Sequence, residues 1–487
     1  MSIKNKVLKG IMYTGAYSTF VMVISLAYQI MKAQYLESLD FAIIAAMFML
    51  ISFSDTFIKY GLSQVIVKNK NITFDHIKSF MIINYIYVFI FMCIIWMLMP
   101  LIIRVYHLPN IDMLLYMFII IILNVPISLY KSILEKNLQY GLFTVINTNI
   151  LLTNVLIGGL LLTQGYGIYS LFYSYMISTV LDLIVTIYVT LKYSNMDSEN
   201  IFPNIKLLYS DNKNDINYGS KISTRRFVNV FGNKIDEFIV GLLFTGHELG
   251  LYYFGKDLFL KLIGLLNSSV AKVILPVFSI TKDDIAKTKL VYITFIKGIV
   301  YIGLPAILMM VFYPEEVILA LFGEKWIESA TIFMALSIGM FFSLITSNMT
   351  TSLLTIYDKA KESLIIELRT TIIYLTILST IVLVNIEVSI VFISILLSIK
   401  IVSIAMQNHN ICLKILKLNF NHFISLIKMS LIYLVLLLMF YSITIYFEFI
   451  YNLLDIIIFM SFVYLLTFIF IILFDKSIMN TLIKRRK

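Results

Sequence analysis

The chain has 487 residues, of which 60% are hydrophobic and 14% charged, and its mean hydropathy is +0.92. A soluble domain carries roughly 25% charged residues, so the composition excludes a soluble protein and points to an all-α polytopic membrane protein, since lipid tolerates neither open sheet edges nor lipid-facing loops. The net charge of +10 does not require nucleic acid: no RNP, zinc-finger or helix-turn-helix pattern is present, and the basic residues crowd into loops that meet anionic headgroups.

Hydropathy predicts about fourteen spans, near 10–32, 39–58, 79–103, 111–131, 141–163, 166–191, 218–243, 248–272, 289–312, 328–356, 363–384, 387–408, 421–446 and 450–474. The N-terminal MSIKNKVLKG is basic, but no small-residue cleavage site follows the first apolar run, which is therefore expected to be a retained helix. Every second connection is rich in lysine: Lys4, Lys6 and Lys9; Lys68, Lys70 and Lys78; Lys131 and Lys136; Lys192, Lys206, Lys213 and Lys221; Lys282, Lys287 and Lys289; Lys359 and Lys361; Lys414 and Lys417; Lys484 to Lys487. The alternate connections carry mainly acids or nothing, among them Glu37, Asp40, Glu248, Glu315, Glu316, Glu324, Glu387 and Glu448. This alternation places both termini, Arg486 and the long loop around Asn212 in the cytoplasm.

The elements repeat weakly. LESLDFAIIAAMF from Leu36 resembles GHELGLYYFGKDL from Gly246, and the first six spans run in the same orientation as the next six. The expected organisation is an N-terminal six-helix bundle (1–192), a cytoplasmic linker (193–217), a second six-helix bundle (218–410) and two further helices with a basic tail (411–487).

Catalytic chemistry finds little support. His76, His107, His247, His409 and His422 are expected at loops or helix ends without metal-ligand spacing. Walker and GxSxG motifs are absent, and the connections are too short for a catalytic domain. Cys93 and Cys412 sit in apolar runs and make no disulfide framework or CxxC site. No enzyme, metal or cofactor is expected.

The most unusual stretch is the seventh span and the start of the eighth, where charges stand inside apolar surroundings. Arg225, Arg226, Asn229, Asn233, Asp236 and Glu237 recur at steps of three, four and seven, so they share one stripe of a helix, and such a stripe faces a bundle interior or water. Lys234 with Glu237, and Asp257 with Lys261, have the spacing of intrahelical ion pairs that only lower the cost of insertion; Arg225 and Arg226 also fit ordinary cytoplasmic anchors. Elsewhere Asp182 lacks a basic residue one turn away and reads either as a proton or sodium site or as a partner across helices. Thr144, Asn147 and Asn154 line one face of the fifth span. Lys32 and Lys59 fall at span ends and can snorkel, and Pro126, Pro276 and Pro305 offer bends.

The segment Asn233 to Asp284 resembles the Wzx-type polysaccharide exporters, particularly the branch with the colanic acid and teichuronic acid exporters. Asn233, Asp236, Ile239 and Gly241 match that family's N..D..I.G helix; Gly250, Leu251 and Tyr252 match its GLY turn; Asn267, Ser268, Val270, Val273, Pro276 and Ser279 match the helix that follows. Further matches are Phe57 to Thr73, Gly165 to Ser174 and Phe322 to Trp326. The chain departs from the pattern at Lys256, Asp257 and Lys261, where the family often has Ala and Tyr or Pro.

The resemblance implies a member of the multidrug, oligosaccharidyl-lipid and polysaccharide exporter superfamily in the bacterial cytoplasmic membrane: two six-helix bundles around a central cavity plus two helices. The implied cargo is a polyprenyl-pyrophosphate-linked oligosaccharide for surface polysaccharide, with membrane lipids and polymerase or other assembly proteins as partners. Arg225 and Arg226 would then grip diphosphate, Asn229 and Asn233 would meet sugar hydroxyls, and Lys234, Asp236, Glu237, Lys256 and Lys261 would complete the cavity wall, with Asp182 and Glu237 as candidates for ion coupling. The alternative is a drug or metabolite antiporter of the related branch; a membrane-embedded glycan polymerase would need a large outer loop that the chain lacks.

Overall fold

The computed structural model describes residues 20–21, 23–68, 74–108, 112–193, 213–384, 386–419, 424, 428–446 and 453–474. Asn212, Arg486 and most of the expected linker lie outside the described residues, as do the side chains of Asn267, Ser268, Val270, Val273 and Pro276. Helices and turns account for all the described secondary structure. In chain order they are α1 (23–35), α2 (Ser38–Phe57), a π segment (Ile58–Leu62), α3 (Ser63–Lys68), α4 (Phe74–Tyr106), α5 (Asp112–Lys136), α6 (Tyr140–Thr163), α7 (Tyr169–Tyr193), α8 (Lys213–Leu243) and α9 (Gly246–Thr281). There follow α10 (Ile285–Phe312), α11 (Pro314–Phe322), a 3-10 turn (Glu324–Trp326), α12 (Ser329–Ile356), α13 (Ala360–Val384), α14 (Ile390–Ile415), α15 (Lys428–Tyr446) and α16 (Leu453–Phe474).

Local chemistry sets the helix starts. The Glu37 backbone N–H donates to Asp40 at 2.9 Å, closing the reciprocal cap of α2. At α10 the Asp284 carboxylate accepts from the Lys287 N–H at 3.1 Å, and the neighbouring Lys287 side chain holds that carboxyl below its ordinary pKa. Among the described residues, ten helices are long and apolar enough to cross a membrane. Helices α8 and α9 are longer than most of these but are not among the ten, because charged residues interrupt their apolar windows; the span count read from hydropathy remains an expectation.

Several helices run past the ends that hydropathy gave, and at two of them this changes the reading of a residue. Helix α5 continues to Lys136 and takes in Lys131. Helix α14 continues to Ile415, so His409 is not at a loop: its ring is buried, bonded through Nδ1 to the Tyr292 hydroxyl at 2.7 Å and stacked on the Tyr292 ring. Those last turns are polar by composition yet stay helical because tertiary partners cover them.

The chain forms two compact units, Met1–Tyr253 and Phe254–Lys487. In the first, α2 packs on α4 and α8, while α7 packs on α5 and α6. In the second, α12 packs on α10 and α14, and α15 and α16 both pack on α10. Tyr441 of α15 donates to the Pro305 carbonyl at 2.8 Å and Tyr464 of α16 to the Ile302 carbonyl at 2.9 Å, so polar bonds as well as apolar contact attach the last two helices to α10. The Phe322–Trp326 motif closes around Phe254, whose ring stacks on Trp326 at 4.1 Å and meets Phe322 edge-on at 5.0 Å.

The first turns of α9 belong to the first unit and approach α2 very closely. A Cβ on Gly250 would lie 1.7 Å from the Ser38 carbonyl oxygen, so only glycine allows this packing, and His247 adds a 2.5 Å bond from Nδ1 to the Ser38 hydroxyl. Gly250→Ala should destabilise the protein by at least the roughly 1–3 kcal/mol of an overpacked core, read as a lower melting point in detergent. Gly298→Ala, in α10 with nothing within 4 Å of the added carbon, should leave melting unchanged.

Candidate functional site

Helix α8 is uninterrupted from Lys213 to Leu243, and its side chains divide by face. Phe227 and Phe231 pack towards Phe53 of α2, with centroids 5.4 and 6.4 Å apart. Arg225, Asn229 and Asn233 stand on another side of the helix, with Arg225 and Asn233 exposed and Asn229 half-buried; the Asn233 amide donates to the Asn229 side-chain oxygen at 3.4 Å.

The stripe does not keep one environment along its length. Asp236 and Glu237 are both 0% exposed. Asp236 accepts a 2.5 Å bond from the Tyr252 hydroxyl, and both Glu237 oxygens accept from the Lys234 ammonium at 3.0 and 3.1 Å, with the Tyr253 ring 5.5 Å beneath that ammonium. Burial of two carboxylates is affordable because each is hydrogen-bonded or paired. The structure thus groups Lys234, Asp236 and Glu237 in a closed cluster and leaves Arg225, Asn229 and Asn233 accessible. On α9, in the second unit, Lys256 is 4% exposed, and Lys261 pairs with Asp257 at 2.5 Å. Both spacings read as intrahelical ion pairs therefore do form pairs.

The N-terminal half of α8 sits on the π segment. Gly61 has φ −83° and ψ −108°, a kink in the helical path; the Ser63 and Ser128 hydroxyls donate to the Ile58 carbonyl at 2.8 and 3.3 Å. A Cβ on Gly61 would meet the Ser223 hydroxyl at 2.8 Å, so α8 lies directly on the break. Beside it, Lys59 pairs with Asp55 at 2.7 Å, and Arg226 is within Coulombic reach of the same carboxylate. Lys59 thus has a carboxylate partner and is not simply a snorkelling end residue. Lys59 is exposed, whereas Lys32 is buried, with its ammonium 5.4 Å from the Tyr28 ring and 5.8 Å from the Phe41 ring.

Asp182 acquires a partner across helices. Lys131 of α5 reaches it at 2.7 Å and also donates to Asn147 of α6 at 2.7 Å, while Thr186 donates to Asp182 at 2.8 Å. Asp182 is 8% exposed. Lys131, which the sequence reading assigned to a cytoplasmic connection, is in fact the interior link between three helices. The Asn154 amide continues the α6–α7 contact by donating to Ser178 at 3.2 Å. Sequence reasoning missed the Asp55–Lys59 pair, for which the signal was Asp55 four residues before Lys59; of the two readings of Asp182 the structure contains the partner across helices, whose identity, Lys131, no sequence spacing marks. No group of acids, histidines or cysteines able to hold a metal occurs among the described residues.

Residues 33–331 match the family described as polysaccharide biosynthesis protein. The chain belongs to that family. Its polar α8, the π segment and the GLY turn all lie within the matched stretch. A relative from Klebsiella pneumoniae, an uncharacterized membrane protein in the cps region, is 22% identical over 334 residues, covering 67% of this chain and 66% of its own. The lipopolysaccharide biosynthesis protein WzxC of Escherichia coli is 18% identical over 329 residues, covering 67% and 65%. The matches thus span just under two thirds of these relatives' own length. Among solved structures, the lipid II flippase MurJ in an inward closed conformation superposes with a TM-score of 0.72 at 16% identity, covering 93% of this chain and 97% of its own. An inward-facing multidrug resistance MATE family transporter gives 0.60 at 14% identity, covering 82% and 95%. This is therefore a multi-pass membrane protein with the fold seen in those flippases and transporters.

Removing one partner of a buried ion pair costs about 3–5 kcal/mol, whereas replacing both by apolar residues is often near neutral. Lys131→Met alone should lower the melting point of the purified protein sharply, and Lys131→Met with Asp182→Leu should restore most of it. A double variant as unstable as the single one would show that the pair is not what holds these helices.

Proposed function

We propose that this protein turns polyprenyl-pyrophosphate-linked oligosaccharide repeat units from the cytoplasmic to the outer leaflet of the bacterial cytoplasmic membrane, with both of its own termini cytoplasmic. The observation that carries this reading is the accessible row of Arg225, Asn229 and Asn233 on a long helix inside the family-matched region. Polar groups at membrane depth are expensive and persist where they line a water-filled path. A diphosphate and a sugar chain need such a path, because lipid solvates neither. Guanidinium groups supply planar, charge-assisted bonds to the diphosphate, and asparagine amides exchange for water around sugar hydroxyls.

Alternating access would carry the head group across. Asp236, Glu237 and Lys256 are buried and Lys261 is paired, so their contact with cargo requires a second conformation that exposes them. Proton or sodium uptake at Asp182 or Glu237 would compete with Lys131 or Lys234 for the carboxylate, coupling an ion to that change. The sequence halves 1–192 and 218–410 are the proposed moving parts, with 411–487 appended. Polymerase and other assembly proteins are the proposed partners.

Loss of the protein should abolish surface polysaccharide and leave lipid-linked repeat units on the cytoplasmic side, measured by glycan staining and lipid extraction in a strain with no second exporter. Unchanged glycan with altered drug tolerance would favour the antiporter instead. Charge-assisted bonds are worth about 1.5–3 kcal/mol each, so alanine at both Arg225 and Arg226 should lower export strongly at normal membrane levels. Lysine should rescue only in part, because it lacks the planar fork; full rescue by lysine would return the two arginines to the role of topology anchors.

A further inference from the structure

The buried acids of the first unit differ in how their oxygens are satisfied. Both Asp182 oxygens accept bonds, one from Lys131 and one from Thr186, and both Glu237 oxygens accept from Lys234. At Asp55, Oδ2 accepts from the Lys59 ammonium at 2.7 Å, while Oδ1 is shut off from solvent and has no hydrogen-bond partner. Among the described residues it is the one carboxylate oxygen in that condition. Burying a charge costs far more than burying a neutral polar group unless the charge is fully paired, and a buried group left unpaired in a native fold points to strain, to chemistry or to an ion. A proton added at Asp182 or Glu237 must displace a bond already made. At Asp55 Oδ1 it displaces none.

The neighbours of Asp55 come from every element packed on this part of α2. Arg226 of α8 is within Coulombic reach of it, and Tyr175 of α7 is within reach of Asp55, Lys59 and Asp182 together. The π segment meets α5 through the 2.8 Å Ser63–Ser128 hydroxyl contact, and Lys131, three residues beyond Ser128, is within reach of Lys59. Helix α4 brings Tyr87 and Phe91 against Phe57, and its charged residues Asp75, Lys78 and Arg104 stand near its ends. Water reaches the pair from the Lys59 side, whose side chain is 45% exposed against 17% for Asp55.

We propose that Asp55 is a proton-binding site and that its protonation loosens the π segment from α2. Asp55 belongs to α2 and Lys59 to the π segment, so their ion pair ties the two sides of the kink. The step forms one O–H bond at Oδ1 with a proton taken from water and turns the carboxylate neutral; Lys59 keeps its charge, and nothing is oxidised or reduced. With that tie weakened, α8, whose Gly219 and Ser223 lie against Gly61, can shift with the kink. The site adds a coupling proton to the flippase reading and is tested without cargo.

The test uses the full-length protein in nanodiscs, with hydrogen exchange of residues 58–68 as the measure of local opening and infrared difference spectra as the measure of protonation. On acidification in potassium buffer, exchange corrected for its intrinsic pH dependence should rise several-fold, in step with the carbonyl band of a protonated carboxyl. Asp55→Asn should abolish that band and show the fast exchange already at neutral pH, with no further rise on acidification. Lys59→Gln, which cuts the same tie from the other side, should also exchange fast at every pH and keeps the test decisive if Asp55→Asn does not fold. The double variant Lys131→Met with Asp182→Leu should retain both the band and the acid response. An acid response that survives Asp55→Asn, or one lost in that double variant instead, overturns the proposal and leaves the flippase reading standing. Fast exchange produced at neutral pH by sodium in place of potassium would make Asp55 a metal-cation site and likewise overturn it. Intact surface glycan in a strain lacking the protein would remove the flippase reading and leave the proton site untouched.

Discussion

A charge carried away from water must be met by a partner charge or by hydrogen bonds, and the interior of the first unit is arranged around that constraint. Lys131, Asp182, Asn147 and Thr186 bring α5, α6 and α7 to a common point. At a more open place, where Lys59 is exposed, Asp55 pairs with it and lies within Coulombic reach of Arg226, linking α2, the π segment and α8. Apolar side chains alone give helices little reason to associate in lipid, since hydrocarbon tails solvate them as well. Polar pairs and close glycine contacts, such as Gly250 against Ser38, therefore decide which helices touch and in what register.

The same constraint divides helix α8. Towards its C-terminal end, Glu237 is paired with Lys234 and Asp236 accepts from Tyr252, and both carboxylates are buried. Towards its N-terminal end, arginine and asparagine remain accessible while phenylalanines cover the side against α2. A single helix thereby carries polar side chains on one side and aromatic ones on another. The π segment beneath it, whose Ile58 carbonyl accepts from two serine hydroxyls, is a local break of the kind found at functional sites.

The second unit relies on aromatic and tyrosine packing. Tyr292, Tyr301, Tyr441 and Phe459 lie in one buried cluster that joins α10, α15 and α16, and tyrosine suits the role because its ring fills volume while its hydroxyl finds a carbonyl or hydroxyl partner. Tyr441 on Pro305 and Tyr433 on Thr467 are two such bonds.

Hydropathy, with its apolar runs of about twenty residues, was enough to mark the helices, because the solvent leaves a spanning backbone only one economical form. The Asn233 to Asp284 motifs pointed to the family, and the spacing of Lys234 with Glu237 and of Asp257 with Lys261 foretold pairs that the structure contains, since partners three or four residues apart on a helix are neighbours whatever the fold. Tertiary structure alone decided that Asp182 meets Lys131, fifty-one positions away, that His409 is buried against Tyr292, and that the stripe on α8 closes over at Asp236 while staying open at Asn233. Those outcomes depend on which helices pack together, and the bilayer makes every span apolar enough that hydropathy carries no record of its neighbours.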